Sequence, residues 1–201
     1  MTGLRRFLDR TAPVPVPERC ELCATPVPGE HPHLVHVTER RLRCACGPCA
    51  FLFDNPGAGA GEYRRVPDRW LRDPSATGVD ALDVPVGVVF LMRSSASGRM
   101  LACYPGPAGA TESELPPTAW ESGPGRGPLA DELADDVEAL LVRRDPPTSL
   151  LVPIDACYRL AGIARRTWHG FDGGTEARDA IEAFFADALA RATVLPLERQ
   201  P

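Results

Sequence analysis

Two unbroken apolar runs dominate the centre of the chain. PVGVVFLMRSS (85–95) and RMLACYP (99–105) flank the turn SASG (95–98) and predict a β-hairpin. A second pair, DVEALLVRR (136–144) and SLLVPI (149–154), flanks DPPT (145–148) and predicts another. After it the period changes. Cys157, Leu160, Ala161, Ala164 and Trp168 fall on one helical stripe, with Asp155 placed to cap the helix and GFDGG (170–174) to stop it. A last helix over about 175–192 sets Ile181, Phe184, Phe185 and Ala188 against a face rich in Glu and Asp. GPAGATESELPP (106–117) is expected to be a loop and ESGPGRGP (121–128) a flexible insert.

The N-terminal third has a different pattern. Residues 1–18 end in Pro13, Pro15 and Pro17, an extended and flexible arm. From Arg19 to Phe53 the apolar runs shorten to HLVHV (33–37) and RLRCAC (41–46), a small hairpin, with AFLF (50–53) opening a short helix or strand. NPGAGAGEY (55–63) then breaks the pattern, so the boundaries are an arm at 1–18, a module at 19–56 and a larger domain at 57–201.

That module holds five of the seven cysteines and three of the four histidines. Cys20-x-x-Cys23 and Cys46-x-x-Cys49 are two tight turns separated by 22 residues that include the hairpin. Each turn aims two sulfurs at one point, and a hairpin that brings the turns together supplies a tetrahedron of thiolates suited to zinc. The order of elements is that of treble-clef and zinc-ribbon modules. Cys44, two residues before Cys46, can replace it as fourth ligand or stay a spare thiol; His33 and His36 are further, weaker candidates. Four thiolates also bind iron. Rubredoxin-type turns carry Gly after the second Cys, where this chain has Ala24 and Ala50, which favours zinc.

Other chemistries fit less well. Cys46-Gly47-Pro48-Cys49 matches a dithiol redox tetrad, but the charged run before it does not form the buried strand that such a tetrad follows. No His-x-Glu precedes the second pair, as a zinc deaminase requires. No His–Asn set for a nuclease follows Cys49, and the loop at 106–113 lacks the Lys of a phosphate-binding loop. Cys103 and Cys157 sit among apolar neighbours, as packed thiols do.

Composition narrows the classes further. The chain has 201 residues, 44% of them hydrophobic, enough for a core that does not depend on a metal. A net charge of −5 excludes a general nucleic-acid coat, although Arg40, Arg41 and Arg43 form a local basic patch that keeps a nucleic-acid-binding alternative. No run of 18 apolar residues spans a membrane, and MTGLRRFLDRTAPVPVPER has no apolar signal core. A cytoplasmic location with reduced thiols is the expectation.

The run CELC…HLVHV…RRLRCACGPCAFLF, followed by EYRRVPDRW, PVGVVFLMRSS, YPGPAGATES, ALLVRR and VPIDACYRLAGIARRTWHGFDGG, resembles an uncharacterised bacterial family encoded beside nickel–iron hydrogenase genes. It is similar to hydrogenase expression and assembly accessory proteins with a rubredoxin-like or zinc-ribbon module. The resemblance implies a metal site among Cys20, Cys23, Cys44, Cys46 and Cys49 and a hydrogenase subunit or its assembly machinery as partner. The expectation is an α+β protein: a small zinc module, a mixed domain of antiparallel strand pairs and C-terminal helices. It is expected to be a non-enzymatic accessory in assembly, maturation or electron transfer, with a dithiol oxidoreductase as the enzymatic alternative.

Overall fold

The computed structural model describes residues 17–55, 57–79, 87–170 and 173–195. The first 16 residues of the expected arm lie outside them. In chain order the elements are β1 (His33–His36), β2 (Arg41–Cys44), α1 (Gly47–Phe51), β3 (Tyr63–Arg65), β4 (Leu71–Asp73), β5 (Val88–Ser94), β6 (Arg99–Gly106) and β7 (Gly109–Glu114). There follow α2 (Pro117–Ser122), α3 (Leu129–Glu132), β8 (Glu138–Arg143), β9 (Thr148–Pro153), α4 (Ile154–Thr167), α5 (Gly174–Arg191) and β10 (Thr193–Val194). The fold is α+β, with antiparallel sheets, C-terminal helices and an N-terminal cysteine cluster.

A seven-stranded sheet in the order β10-β4-β9-β8-β5-β6-β7 forms the body. All its pairings are antiparallel except β10 with β4. Every residue of β8 and β9 is buried because both faces of the sheet are covered, which is why these strands read as continuous apolar runs. On one face Phe90, Met92, Leu141 and Val152 pack against Cys157 and Leu160 of α4 and Phe184 and Phe185 of α5. On the other, Val89, Leu91, Leu140 and Leu151 pack against Leu115, Leu129 and Leu133. Helix α4 meets the sheet through Cys157, Leu160, Ala161 and Ala164, spaced as a single helical face.

A three-stranded sheet, β2-β1-β3, carries the cysteine module. Alternation along β1 divides its residues between two cores. Leu34 packs with Cys20, Val27, Ala45 and Ala50, whereas Val35 joins the body core beside Val66 and Trp70. The module sheet is thus one wall of the body.

Four expectations change. Residues 109–114 are strand β7, the exposed edge partner of β6, rather than part of a loop. The insert at 121–128 is mostly helical turn: Gly125 lies so close to Trp120 that an added Cβ would stand 2.6 Å from the Trp120 carbonyl oxygen. Strand β3 pairs with β1, so the small sheet continues past the boundary drawn after residue 56. Pro153, not Asp155, holds the N-cap position of α4; the Asp155 carboxylate turns instead to His33.

Two arginines fasten the segment between the sheets. Arg69 donates from Nε and Nη2 to the two carboxylate oxygens of fully buried Glu138, at 2.9 and 2.8 Å. Arg64 lies 3.4 Å from the carboxylate of Asp136, also fully buried, which accepts the amide and hydroxyl of Ser95.

Candidate metal centre

The first pair of cysteines sits in a turn closed by its own backbone. The Ala24 amide donates to the Cys20 carbonyl and the Cys20 amide to the Thr25 carbonyl, both at 2.8 Å. Ala24 takes a φ of 61°, the left-handed conformation that usually favours Gly. The turn is locked onto β2 from both sides, the Glu21 amide donating to the Cys44 carbonyl and the Cys44 amide to Glu21 Oε1. The first position where Ala replaced an expected Gly therefore keeps the turn geometry, at some backbone strain.

The second pair is built on a helix. Cys46 is the N-cap of α1, with Pro48 in the first turn, where a missing amide hydrogen removes no helical bond. Cys49 follows one turn later, so both sulfurs lie on one side. Ala50 is inside the helix and fully buried, its amide donating to the Cys46 carbonyl. No left-handed residue is needed there. A turn, a hairpin and a helix N-terminus are the treble-clef order of elements, not a pair of equivalent rubredoxin turns.

The sulfurs of Cys20, Cys23, Cys46 and Cys49 converge, all within 4.8 Å of one another. Cys23 and Cys46 stand 3.6 Å apart. A tetrahedral ion with metal–sulfur bonds of about 2.3 Å separates its sulfurs by about 3.8 Å, so the set fits. Hydrogen bonding divides these thiols. Burial opposes ionisation of Cys20, but the amides of Cys46, Cys23 and Leu22 outweigh it and bring this thiol down to about 6. The Thr25 hydroxyl and amide lower Cys23. Cys49, hydrogen-bonded to Cys46 and Cys23, is pushed up to about 12 and holds a proton that an incoming cation must displace. The cluster is compatible with a metal ion such as zinc. Four protein ligands leave no open coordination position, the arrangement of a structural site.

The other candidates lie elsewhere. Cys44 is outside the four-sulfur set, and its half-buried thiol is raised by desolvation. His36 stands edge-on to Tyr63, its Nδ1 accepting the Glu39 amide. His33 Nδ1 donates to Asp155 Oδ2 at 2.9 Å, at the edge of a cleft of about 470 Å³ between module and body. In the basic patch, Arg40 pairs with Glu112 at 2.6 Å and Arg43 with Glu21 at 2.7 Å. Cys46-Gly47-Pro48-Cys49 follows a peripheral strand rather than a central one, and Cys20 and Cys23 crowd its thiols. Cys103 and Cys157 are buried and raised by desolvation, the first to about 12. Sequence reasoning missed His31, which precedes β1 across Pro32 with its ring tilted 48° to that of His33, and the role of Asp155.

The structure therefore defines an α+β protein with a closed four-cysteine site on a module fused to the body sheet. Residues 19–192 match the model of a family of unknown function (DUF5947), and the chain belongs to that family. No curated protein and no solved structure matches the chain. No helix among the described residues is long and apolar enough to cross a membrane.

Proposed function

We propose that the protein is a non-enzymatic accessory protein whose zinc module docks a protein partner, with a nickel–iron hydrogenase subunit, taken during maturation, as that partner. One observation carries the docking reading. Three of the four large apolar side chains that stay exposed among the described residues lie on the two metal turns: Leu22 at 46%, Phe51 at 69% and Leu52 at 64% exposure; the fourth, Val194, is on edge strand β10. Leu22 lies inside the first Cys-x-x-Cys, and Phe51 and Leu52 come two and three residues after the second, so an ion would fix their relative placement. Exposed apolar residues grouped on a rigid surface are what a protein partner buries. The hydrogenase identity rests on the sequence resemblance.

Zinc is favoured over iron because the second turn is a helix N-terminus with a buried Ala after Cys49. Ion pairing of Arg40 and Arg43 speaks against nucleic acid as the ligand of the hairpin. The test is affinity purification of tagged protein from the organism that encodes it, with elemental analysis. A zinc-containing protein that retains a hydrogenase subunit, and loses it in the Leu22→Glu/Phe51→Glu/Leu52→Glu variant, supports the reading. Normal hydrogenase maturation in a deletion strain refutes it.

A further inference from the structure

Beside the four-cysteine site, His31, His33 and Cys44 form a second convergent set, with one ligand atom from each within 4.8 Å of the others. The topology explains the grouping. His33 and Cys44 are direct partners across β1 and β2, and His31 lies two residues before His33, just outside β1, with its ring centroid 4.7 Å from that of His33. None of the three belongs to the four-sulfur set.

The hydrogen bonds fix which imidazole atoms are free. His31 Nδ1 lies 2.8 Å from the Pro28 carbonyl oxygen, which only accepts, so Nδ1 carries the proton and Nε2 the lone pair. The side chain is 3% exposed, yet Nε2 is buried with no hydrogen-bond partner. A buried acceptor left unmatched is costly, and an unmatched imidazole lone pair beside a second imidazole and a thiol is what a metal ion satisfies. His33 has the same tautomer because its Nδ1 donates to the Asp155 carboxylate. Carboxylate, imidazole and metal in that order are the usual outer support of a metal-bound histidine.

We propose that His31 Nε2, His33 Nε2 and Cys44 Sγ bind a second divalent ion of borderline softness, zinc in kind, oriented by Asp155. Two neutral imidazoles and one thiolate suit such an ion, and binding releases the Cys44 proton. Tetrahedral zinc places a nitrogen and a sulfur ligand about 3.6 Å apart and two nitrogens about 3.3 Å apart, so ligand atoms at the 4.8 Å limit close by about 1.2–1.5 Å. Three protein ligands leave a fourth position for an exchangeable water. The closed site and this one then differ in kind, the first structural and the second open.

The test uses full-length protein, stripped under reducing conditions, reloaded with zinc or cobalt(II) by equilibrium dialysis and analysed for metal per chain. Two ions per chain are expected in wild type. His31→Gln/His33→Gln and Cys44→Ser should each bind one, keeping the intense sulfur-to-cobalt absorption of the four-cysteine site as proof of folding. Cys20→Ser/Cys49→Ser should lose that absorption and retain the second ion, which separates failure of one site from failure of the other. Asp155→Asn, milder in case the His variants do not fold, should weaken the second ion by about 10–100-fold. His36→Gln should change nothing. One ion per chain in wild type, or two that survive the His31, His33 and Cys44 substitutions, overturns the proposal.

Discussion

Removing the ion from the four-cysteine site is expected to unfold the metal turns and leave the body standing. The buried cluster beneath the site consists of Cys20, Val27, Leu34, Ala45 and Ala50. Val27 and Leu34 are its large buried members, contributing about 3–6 kcal/mol, and Phe53 and Tyr63, partly buried against it, add about 2–4 kcal/mol. A structural zinc in a small module contributes about 10–16 kcal/mol, so the ion outweighs the local apolar contacts. The module sheet has separate support, because Val35 and Val66 are buried in the body core.

Amide hydrogen exchange on metal-loaded and chelator-stripped protein measures this directly, with Cys49→Ser as the genetic equivalent. The Ala24, Val27, Ala50 and Phe53 amides, each hydrogen-bonded within or beside the metal turns, should exchange at least about a hundredfold faster, equivalent to about 2.8 kcal/mol. Amides of β5, β8 and β9 should keep their protection. Two results refute the reasoning. Unchanged exchange at the turns after verified metal loss means that packing alone holds the sulfurs. Lost protection in β8 and β9 means that the module cannot be separated from the body.

Arg69→Ala leaves fully buried Glu138 with the Ala134 amide as its remaining side-chain partner among the described residues, and breaking such a pair costs about 3–5 kcal/mol. Arg69 is 38% exposed, so entering water should reduce this to about 2–3 kcal/mol in urea unfolding, partly recovered by adding Glu138→Gln. Burial opposes ionisation of Asp73, but the Ser75 hydroxyl and the Ser75 and Thr77 amides overcome it and lower its carboxyl. Stability from this group is present above the unfolded Asp value and lost as pH falls through the folded one. Asp73→Asn should therefore cost about 1–3 kcal/mol at neutral pH and progressively less below about pH 4 in acid unfolding curves. Iodoacetamide mapping by mass spectrometry should find the four cluster thiols protected with metal bound. After chelation all four cluster thiols should react as the turns open, while Cys103 and Cys157, buried in the body, stay unmodified until it unfolds. Ala24→Gly should relieve about 1 kcal/mol of left-handed strain and tighten metal binding about fivefold in chelator competition; Ala24→Val should loosen it.

The features legible in the sequence were those written in single segments. Strands β5, β8 and β9 show as apolar runs because both their faces are covered, and α4 and α5 as stripes because one face is. The four-cysteine site shows because each Cys-x-x-Cys turn is a local structure. What stayed hidden depends on partners distant in the chain. Strand β7 has almost no buried residue and exists through pairing with β6, so its small polar sequence reads as loop. Strand β3 is three residues long and two of them are Arg. Asp155 sits where a helix cap is expected, but His33, 122 positions earlier, takes its carboxylate. His31 lies before the strand that groups it with His33 and Cys44, and its burial comes from the fold.

A metal turn presents a surface usefully only if its own orientation is fixed. Three links fix it here: Arg69 to Glu138, Arg64 to Asp136, and His33 to Asp155. Two end on carboxylates with no solvent exposure, positions that hold a charge only while the partner is in place. The third ties β1 to the first turn of α4. A bound ion would order the turns, and these links fasten β1 and the segment after β3 to the body. With an ion in place, Leu22, Phe51 and Leu52 would be held before the proposed partner arrives, so association would not carry the ordering cost that flexible loops incur. On this logic, Arg64→Ala/Arg69→Ala protein that still binds metal should dock the proposed partner more weakly. That loss would separate a surface positioned by the body from a zinc module that acts alone.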